Sequence, residues 1–308
     1  EYRSLIGTSP PVRGQIEYGY VRQALINGVG YQEFLGVNPF KLGIVAGADA
    51  HTAFSDNEEF NYTGVHAGTD DTPEKRLAGA QQTAGEPALN FGSPGATGVW
   101  ADENTREGIF DGIRRKETTG STGPLIRVRV FGGWDFAPAD VTTPDFAAKG
   151  YRNGVPMGGD MTRAPSGKPP RFMVRALRDP DGANLDRVQI IKGWLDKKGK
   201  THERIYDVAV SDGREIGSDG RAREPVGSTV NIEKATFTNT IGDALLTAWW
   251  QDPDFDPKEP AFYYVRVLEI PTPRWTTYDA AFFNIKRPDI VPATVQDRAY
   301  TSPIWYTP

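Results

Sequence analysis

The chain has 308 residues, of which 38% are hydrophobic and 24% charged, the composition of a folded protein of one large or two ordinary domains. A net charge of −5 argues against sequence-independent nucleic-acid binding, and no 18-residue apolar run suggests a membrane span. Cysteine is absent, which excludes disulfides, thiolate metal sites and cysteine nucleophiles, and histidine is limited to His51, His66 and His202.

In chain order, the opening EYRSLIGTSPPVRG lacks the basic-then-apolar pattern of a secretory leader. Tyr18–Gly28 is expected to be a helix, with Val21, Ala24, Leu25 and Val29 near helical spacing and Gly28 at the exit. Lys41–Ala48 is a short apolar run ending in small residues, which predicts a strand buried on both faces, as in a parallel sheet. The stretch from Thr52 to Gly98 is rich in Gly, Thr and Asp without clear periodicity and predicts a long loop, functional or mobile. Asn104 and Glu107 have capping-box spacing, so a helix should follow, with Ile109, Phe110 and Ile113 as its buried stripe. Arg114, Arg115 and Lys116 then complement its dipole.

Near Pro124 the pattern changes to alternating strands. Leu125–Phe131, Arg171–Leu177, Arg187–Trp194, Arg204–Val210, Thr229–Ala235, Ala244–Trp250 and Phe262–Ile270 each read as a short strand, several of them separated by turn sequences such as Asp179-Pro-Asp-Gly182. About seven such strands predict a β-sandwich, and Ser302–Tyr306 is expected as a last edge strand, where proline is tolerated. The expected division is therefore an α/β part over residues 1–124 and an all-β part over residues 125–308.

The most informative local pattern is Gly47-Ala-Asp-Ala-His51 at the end of the apolar run. Residues two apart on a strand point to one side, so Asp49 and His51 can converge on one ion. Taken by spacing alone, Asp49 as a cap and His51 as a loop residue is the simpler reading. His66 lies in the following loop, within reach of the same place as ligand or proton donor. Trp100 and Arg106 are candidates for substrate contact, by stacking and by a bidentate bond to an anion, against packing and a surface ion pair. Glu58 and Glu59 read as solvated loop charges, and His202 as a hairpin surface residue. Asp252-Pro-Asp-Phe-Asp256 alternates acids like a calcium loop but lacks the glycine and final glutamate, and reads as a polar turn. Trp249-Trp250 and Tyr263-Tyr264 read as packing more readily than as a carbohydrate platform.

Several stretches together resemble a family of unknown function allied to the PHP (polymerase and histidinol phosphatase) metal-dependent hydrolases. They are Asn38-Pro-Phe-Lys-Leu-Gly43, Gly47-Ala-Asp-Ala-His-Thr52, Gly98-Val-Trp-Ala-Asp-Glu-Asn-Thr-Arg-Glu107 and Ile109-Phe-Asp-Gly-Ile-Arg-Arg-Lys-Glu117. Phe131-Gly-Gly-Trp-Asp135, Gly154-Val-Pro-Met-Gly-Gly159, Leu185-Asp-Arg-Val-Gln-Ile-Ile-Lys-Gly-Trp194 and Tyr263-Tyr-Val-Arg-Val-Leu-Glu-Ile-Pro-Thr-Pro-Arg-Trp275 follow in order. The resemblance implies the closing part of a PHP-type α/β barrel followed by a β-sandwich. It also implies two or three divalent ions (zinc, manganese or iron), with Asp49 and His51 as ligands and a metal-activated hydroxide as nucleophile. A phosphoester is the implied substrate; an ester, lactone or amide suits the same chemistry. The His-x-His motif that opens such barrels does not occur here, and a whole barrel takes on the order of 200 residues or more. An upstream barrel segment is therefore expected, in cis or as a second chain. The alternative is a non-enzymatic sandwich that binds a glycan or a protein. Export to the periplasm or medium is compatible with the absence of cysteine.

Overall fold

The computed structural model describes residues 20–47, 50–51, 58–66, 68, 70–78 and 88–308. Its helices and strands begin with α1 (Val21–Leu35), α2 (Pro73–Leu77), β1 (Ala96–Val99), α3 (Arg106–Arg114), β2 (Thr118–Ser121) and β3 (Arg127–Gly133). Next come α4 (Phe146–Asn153), β4 (Gly154–Pro156), β5 (Asp160–Thr162), β6 (Arg171–Leu177), β7 (Leu185–Leu195), β8 (Thr201–Val210) and β9 (Leu245–Gln251). The chain closes with β10 (Ala261–Glu269), β11 (Thr272–Pro273), α5 (Trp275–Phe283), β12 (Thr294–Val295), β13 (Arg298–Thr301) and β14 (Ile304–Thr307).

Antiparallel sheet dominates. In the larger sheet β10 is central: β7 and then β8 follow on one edge, while β13 and β14 share the other edge in tandem. β13 continues to β2 and β1, and β14 to β5 in the one parallel pairing among these strands. The smaller sheet runs β4-β3-β6-β9. Inward residues of both sheets, among them Val128, Val130, Val174 and Ala248 from one and Val188, Ile190, Tyr263 and Val265 from the other, form one apolar core. The sheets thus face each other across that core as in a sandwich.

β10 shows how the alternation works when both faces are covered. Ala261, Tyr263, Val265 and Val267 point into the shared core, whereas Phe262 and Tyr264 meet Leu25, Ile26 and Val29 of α1 on the other face. Burial of each such side chain is worth on the order of 1.5–3 kcal/mol, so α1 is held by its apolar stripe.

Several expected elements are displaced. The first helix begins at Val21 and runs past Gly28 to an exit at Gly36, whose φ of 70° closes the helix with an N–H bond to Gln32 O. Gly28 is buried within the helix, and it leaves room for Asn38, whose Oδ1 would lie 2.3 Å from a Cβ there. In the third helix the cap is Thr105, whose hydroxyl accepts from Gly108 N at 3.1 Å, and not Asn104. Its expected stripe is exposed, at 37% for Ile109, 57% for Phe110 and 47% for Ile113; contact is made through Gly112 against Trp100 O and Val99. The described part of Lys41–Ala48 forms no strand and belongs to no sheet. Ile44 N donates to Ser302 Oγ and Ala46 N to Thr97 Oγ1, leaving Leu42 and Val45 exposed rather than buried on both faces.

The strands over 171–177, 187–194, 204–210, 244–250 and 262–270 appear close to their expected places, and Leu125–Phe131 corresponds to β3 shifted by two residues. Thr229–Ala235 is not a strand; it carries one isolated bridge, Asn231 to Thr236, in a largely exposed loop. Nor is the last strand an edge, since β14 lies between β10 and β5, with Pro303 placed before the first paired residue. β1 and β2 precede Pro124 and still pair into the large sheet, which therefore draws on both sides of that position. Among the described residues, no helix is long and apolar enough to cross a membrane.

Candidate functional site

Asp49 lies outside the described residues, whereas His51 and His66 are described and adjacent. A backbone bond from His51 N to Val65 O, 2.8 Å, ties their two segments together. The imidazole rings face each other with centroids 4.2 Å apart and planes inclined at 33°. Below them Asp70, fully buried, accepts from Val65 N and His66 N at 2.8 Å each. Gly64 makes that turn possible, with φ at +89° and the place of a Cβ only 2.5 Å from Asp70 O. His66 Nδ1 is buried without a hydrogen-bond partner. Facing imidazoles and a buried, unpartnered ring nitrogen suit a divalent ion as part of a larger donor set. Among the described residues, no three histidines or carboxylates are grouped closely enough to hold an ion by themselves.

The segment carrying His66 is fastened to α5 by residues far away in the chain. Glu59, expected as a solvated loop charge, is buried: Oε1 accepts from Ser93 N and Oγ, and Oε2 from Trp275 N at 2.5 Å. Desolvation of the charge is offset by these three donors. Tyr62 stacks on Trp275 with centroids 4.6 Å apart, and burial pushes its hydroxyl pKa well up. Arg76 and Asp279 form a buried bidentate pair, Nε to Oδ2 at 2.6 Å and Nη2 to Oδ1 at 2.9 Å. Leu77 and Leu89 complete a small apolar cluster on Trp275. None of these partners has a local signal in the sequence, because each pair is formed only when α5 packs on the loop.

The other candidates stand apart from the histidines. Trp100 donates Nε1–H to Val128 O at 3.0 Å, with the Arg129 guanidinium 4.3 Å from its ring centroid, so packing accounts for most of its surface. One side of it lines an open cavity of about 420 Å³, together with Arg127 and the Asp179–Asp181 turn. Arg106 is exposed in the first turn of α3, and no ion pair involves it among the described residues. His202 is partly covered: Nε2 lies 2.7 Å from Asp196 Oδ2, and the ring stacks on Trp194. That contact is the largest of the causes holding the Asp196 carboxyl down at about 2.

A group of carboxyls that carries no sequence signal lies beside the loop. Burial, with Asp179, Asp181 and Glu59 nearby, raises Glu58 to about 7, and burial with Glu59 and Glu58 nearby raises Asp297 to about 7. Burial first, then Asp297, Glu58 and Asp179, hold the Glu269 carboxyl well above its usual range.

No curated protein matches the chain. A family model described as "Protein of unknown function (DUF3604)" matches residues 3–308, and the chain belongs to that family.

Proposed function

We propose that the chain forms part of a metal-dependent hydrolase in which Asp49, His51 and His66 contribute ligands to one or more divalent ions. The pairing of the His51 and His66 rings at 4.2 Å, with His66 Nδ1 buried and unpartnered, carries this reading. A divalent ion in such a site supplies Lewis acidity, acidifying water and stabilising negative charge on a substrate oxygen. The chain's own contribution is position. Asp70 fixes the backbone beneath His66, and the bond from His51 N to Val65 O keeps the second imidazole in place. A phosphoester is the favoured substrate, by the PHP resemblance alone.

The same reading includes a barrel completed by an upstream segment, in cis or from a second chain. Exposed Leu42 and Val45 on a run outside any sheet, and exposed Phe110 and Ile113 on α3, support it, because apolar faces of this kind ordinarily pack against another layer. A second reading, a sandwich that binds a glycan, is favoured by one observation. An open cavity of about 370 Å³ is lined by Trp250 and Tyr206 beside Arg204 and Asp254, an aromatic surface with polar groups around it.

Metal titration followed by mass spectrometry under native conditions separates these readings. The full chain should take up zinc or manganese, and Asp49→Ala and His66→Ala should each weaken uptake by at least about tenfold while leaving the circular dichroism unchanged. Undiminished uptake in both variants would refute the site.

A further inference from the structure

The carboxyls around Glu58 meet across the interface between the histidine-bearing segment and the β-sheet body. On the segment side are Glu58 and Glu59. On the body side are Asp179 and Asp181 of the turn after β6, Glu269 at the end of β10, and Asp297 just before β13. A continuous run of bonds connects the two sides. Ser93 Oγ lies 3.1 Å from both Glu59 Oε1 and Thr122 O and shares its one hydrogen between them, Thr122 Oγ1 donates to Asp297 Oδ1 at 2.7 Å, and Glu269 N donates to Asp297 O at 2.9 Å.

Countercharge is scarce here. Among the described residues Glu58, Glu269 and Asp297 form no ion pair, and Glu269 Oε1 is buried without a hydrogen-bond partner. The nearby cations offset only part of this: Arg298, which donates to Gln296 O, and the Thr122 hydroxyl hold Asp297 down somewhat, and Arg274, which donates to the carbonyls of Leu89 and Phe91, acts on Glu59, yet burial and the neighbouring acids still prevail at Asp297. Tyr278 of α5 faces the same acids, and burial together with Glu59 and Glu58 raises its hydroxyl to about 12, so it stays neutral. Two or more charges on these carboxyls would therefore repel across the interface with little to offset them.

We propose that Glu58, Asp297 and Glu269 act as a proton-operated catch, which seats the 58–66 stretch on the body when protonated and loosens it as the carboxyls ionise. The buried bidentate Arg76–Asp279 pair serves as the fixed end of the movement. Glu58 and Asp297 are raised to about 7 when seated, above the ordinary value of a carboxyl. The seated state therefore binds more protons between roughly pH 4.5 and 7, and seating is strongest below that window and weakens as pH rises through it. The catch is independent of the hydrolase reading, since it concerns the docking of a segment and not the ligands that segment carries.

Hydrogen exchange of the full chain, corrected for the intrinsic pH dependence of amide exchange, tests the catch between about pH 5.5 and about pH 8.5. Protection of the 58–66 amides and of Trp275 N, which donates to Glu59, should fall by at least about tenfold as pH rises. In the double variant Glu58→Gln with Asp297→Asn that fall should shrink to what Glu269 alone contributes, and low-pH protection should persist. Glu58→Gln alone, at a half-buried position, should reduce it and serves if the double variant does not fold. A flat wild-type profile, an unchanged slope in the variants, or an equal loss over β6 and β9 would each overturn the proposal.

Discussion

Asp252, Asp254 and Asp256 look alike in the sequence, and the fold gives each a different countercharge. Asp252 pairs with Lys192 at 2.7 Å, both nearly inaccessible, and accepts from Tyr263 OH at 2.7 Å. Asp254 takes Arg204 and Tyr206 OH, and Asp256 takes Lys197. Burial and then Asp252 hold the Tyr263 hydroxyl well above its usual range, which keeps it a donor. Removing one partner of a buried ion pair strands the other, so Asp252→Ala should cost about 3–5 kcal/mol in urea unfolding. Removing both charges while keeping an acceptor for Tyr263, Lys192→Met with Asp252→Asn, should cost less; equal losses in the two proteins would contradict this account. The same distinction explains why Glu59 looks solvated in the sequence and is buried in the fold. Nothing next to it in the chain announces the three donors that make its burial tolerable.

Among the elements, α5 has the largest role in placing the candidate site. It presents Trp275 and Asp279 to a segment roughly two hundred residues earlier, and that segment has little regular structure of its own. Arg76 is only 6% exposed, which shields its peptide bond from trypsin in the native protein. Asp279→Ala should leave this guanidinium buried and unpaired, and release the segment. Cleavage after Arg76 is then expected to speed up at least about tenfold with the sandwich intact; an unchanged rate would show that the stacking of Tyr62 on Trp275 suffices. α3 is the contrasting case. Its apolar stripe at Ile109, Phe110 and Ile113 is legible, but the spacing of apolar residues marks a face and does not say what that face meets.

For the molecule as a whole, the large sheet determines which fragments can fold. β2 pairs with β13 over Ala299–Thr301, and buried Thr118 bonds to Ser302, so the strands before Pro124 are integral to the sheet. A fragment beginning at Pro94 should accordingly melt higher, by at least about 5 °C, than one beginning at Leu125. Equal midpoints by circular dichroism would show that β1 and β2 are dispensable.

Period-two alternation is enough to find β6, β7, β8, β9 and β10 from the sequence, because each buries at least one face and the residue pattern records that burial directly. His51 is a candidate ligand through the PHP resemblance and not through the Asp-x-His spacing alone, and the loop that follows supplies His66 as a further candidate. Three things were decided only by the tertiary structure: the meeting of the two imidazoles, the fastening of their loop to α5, and the gathering of Glu58, Glu269 and Asp297. Each depends on contacts between residues far apart in the chain, whose chemistry changes when water is excluded; a carboxylate alone in the sequence gives no sign of which environment it will enter.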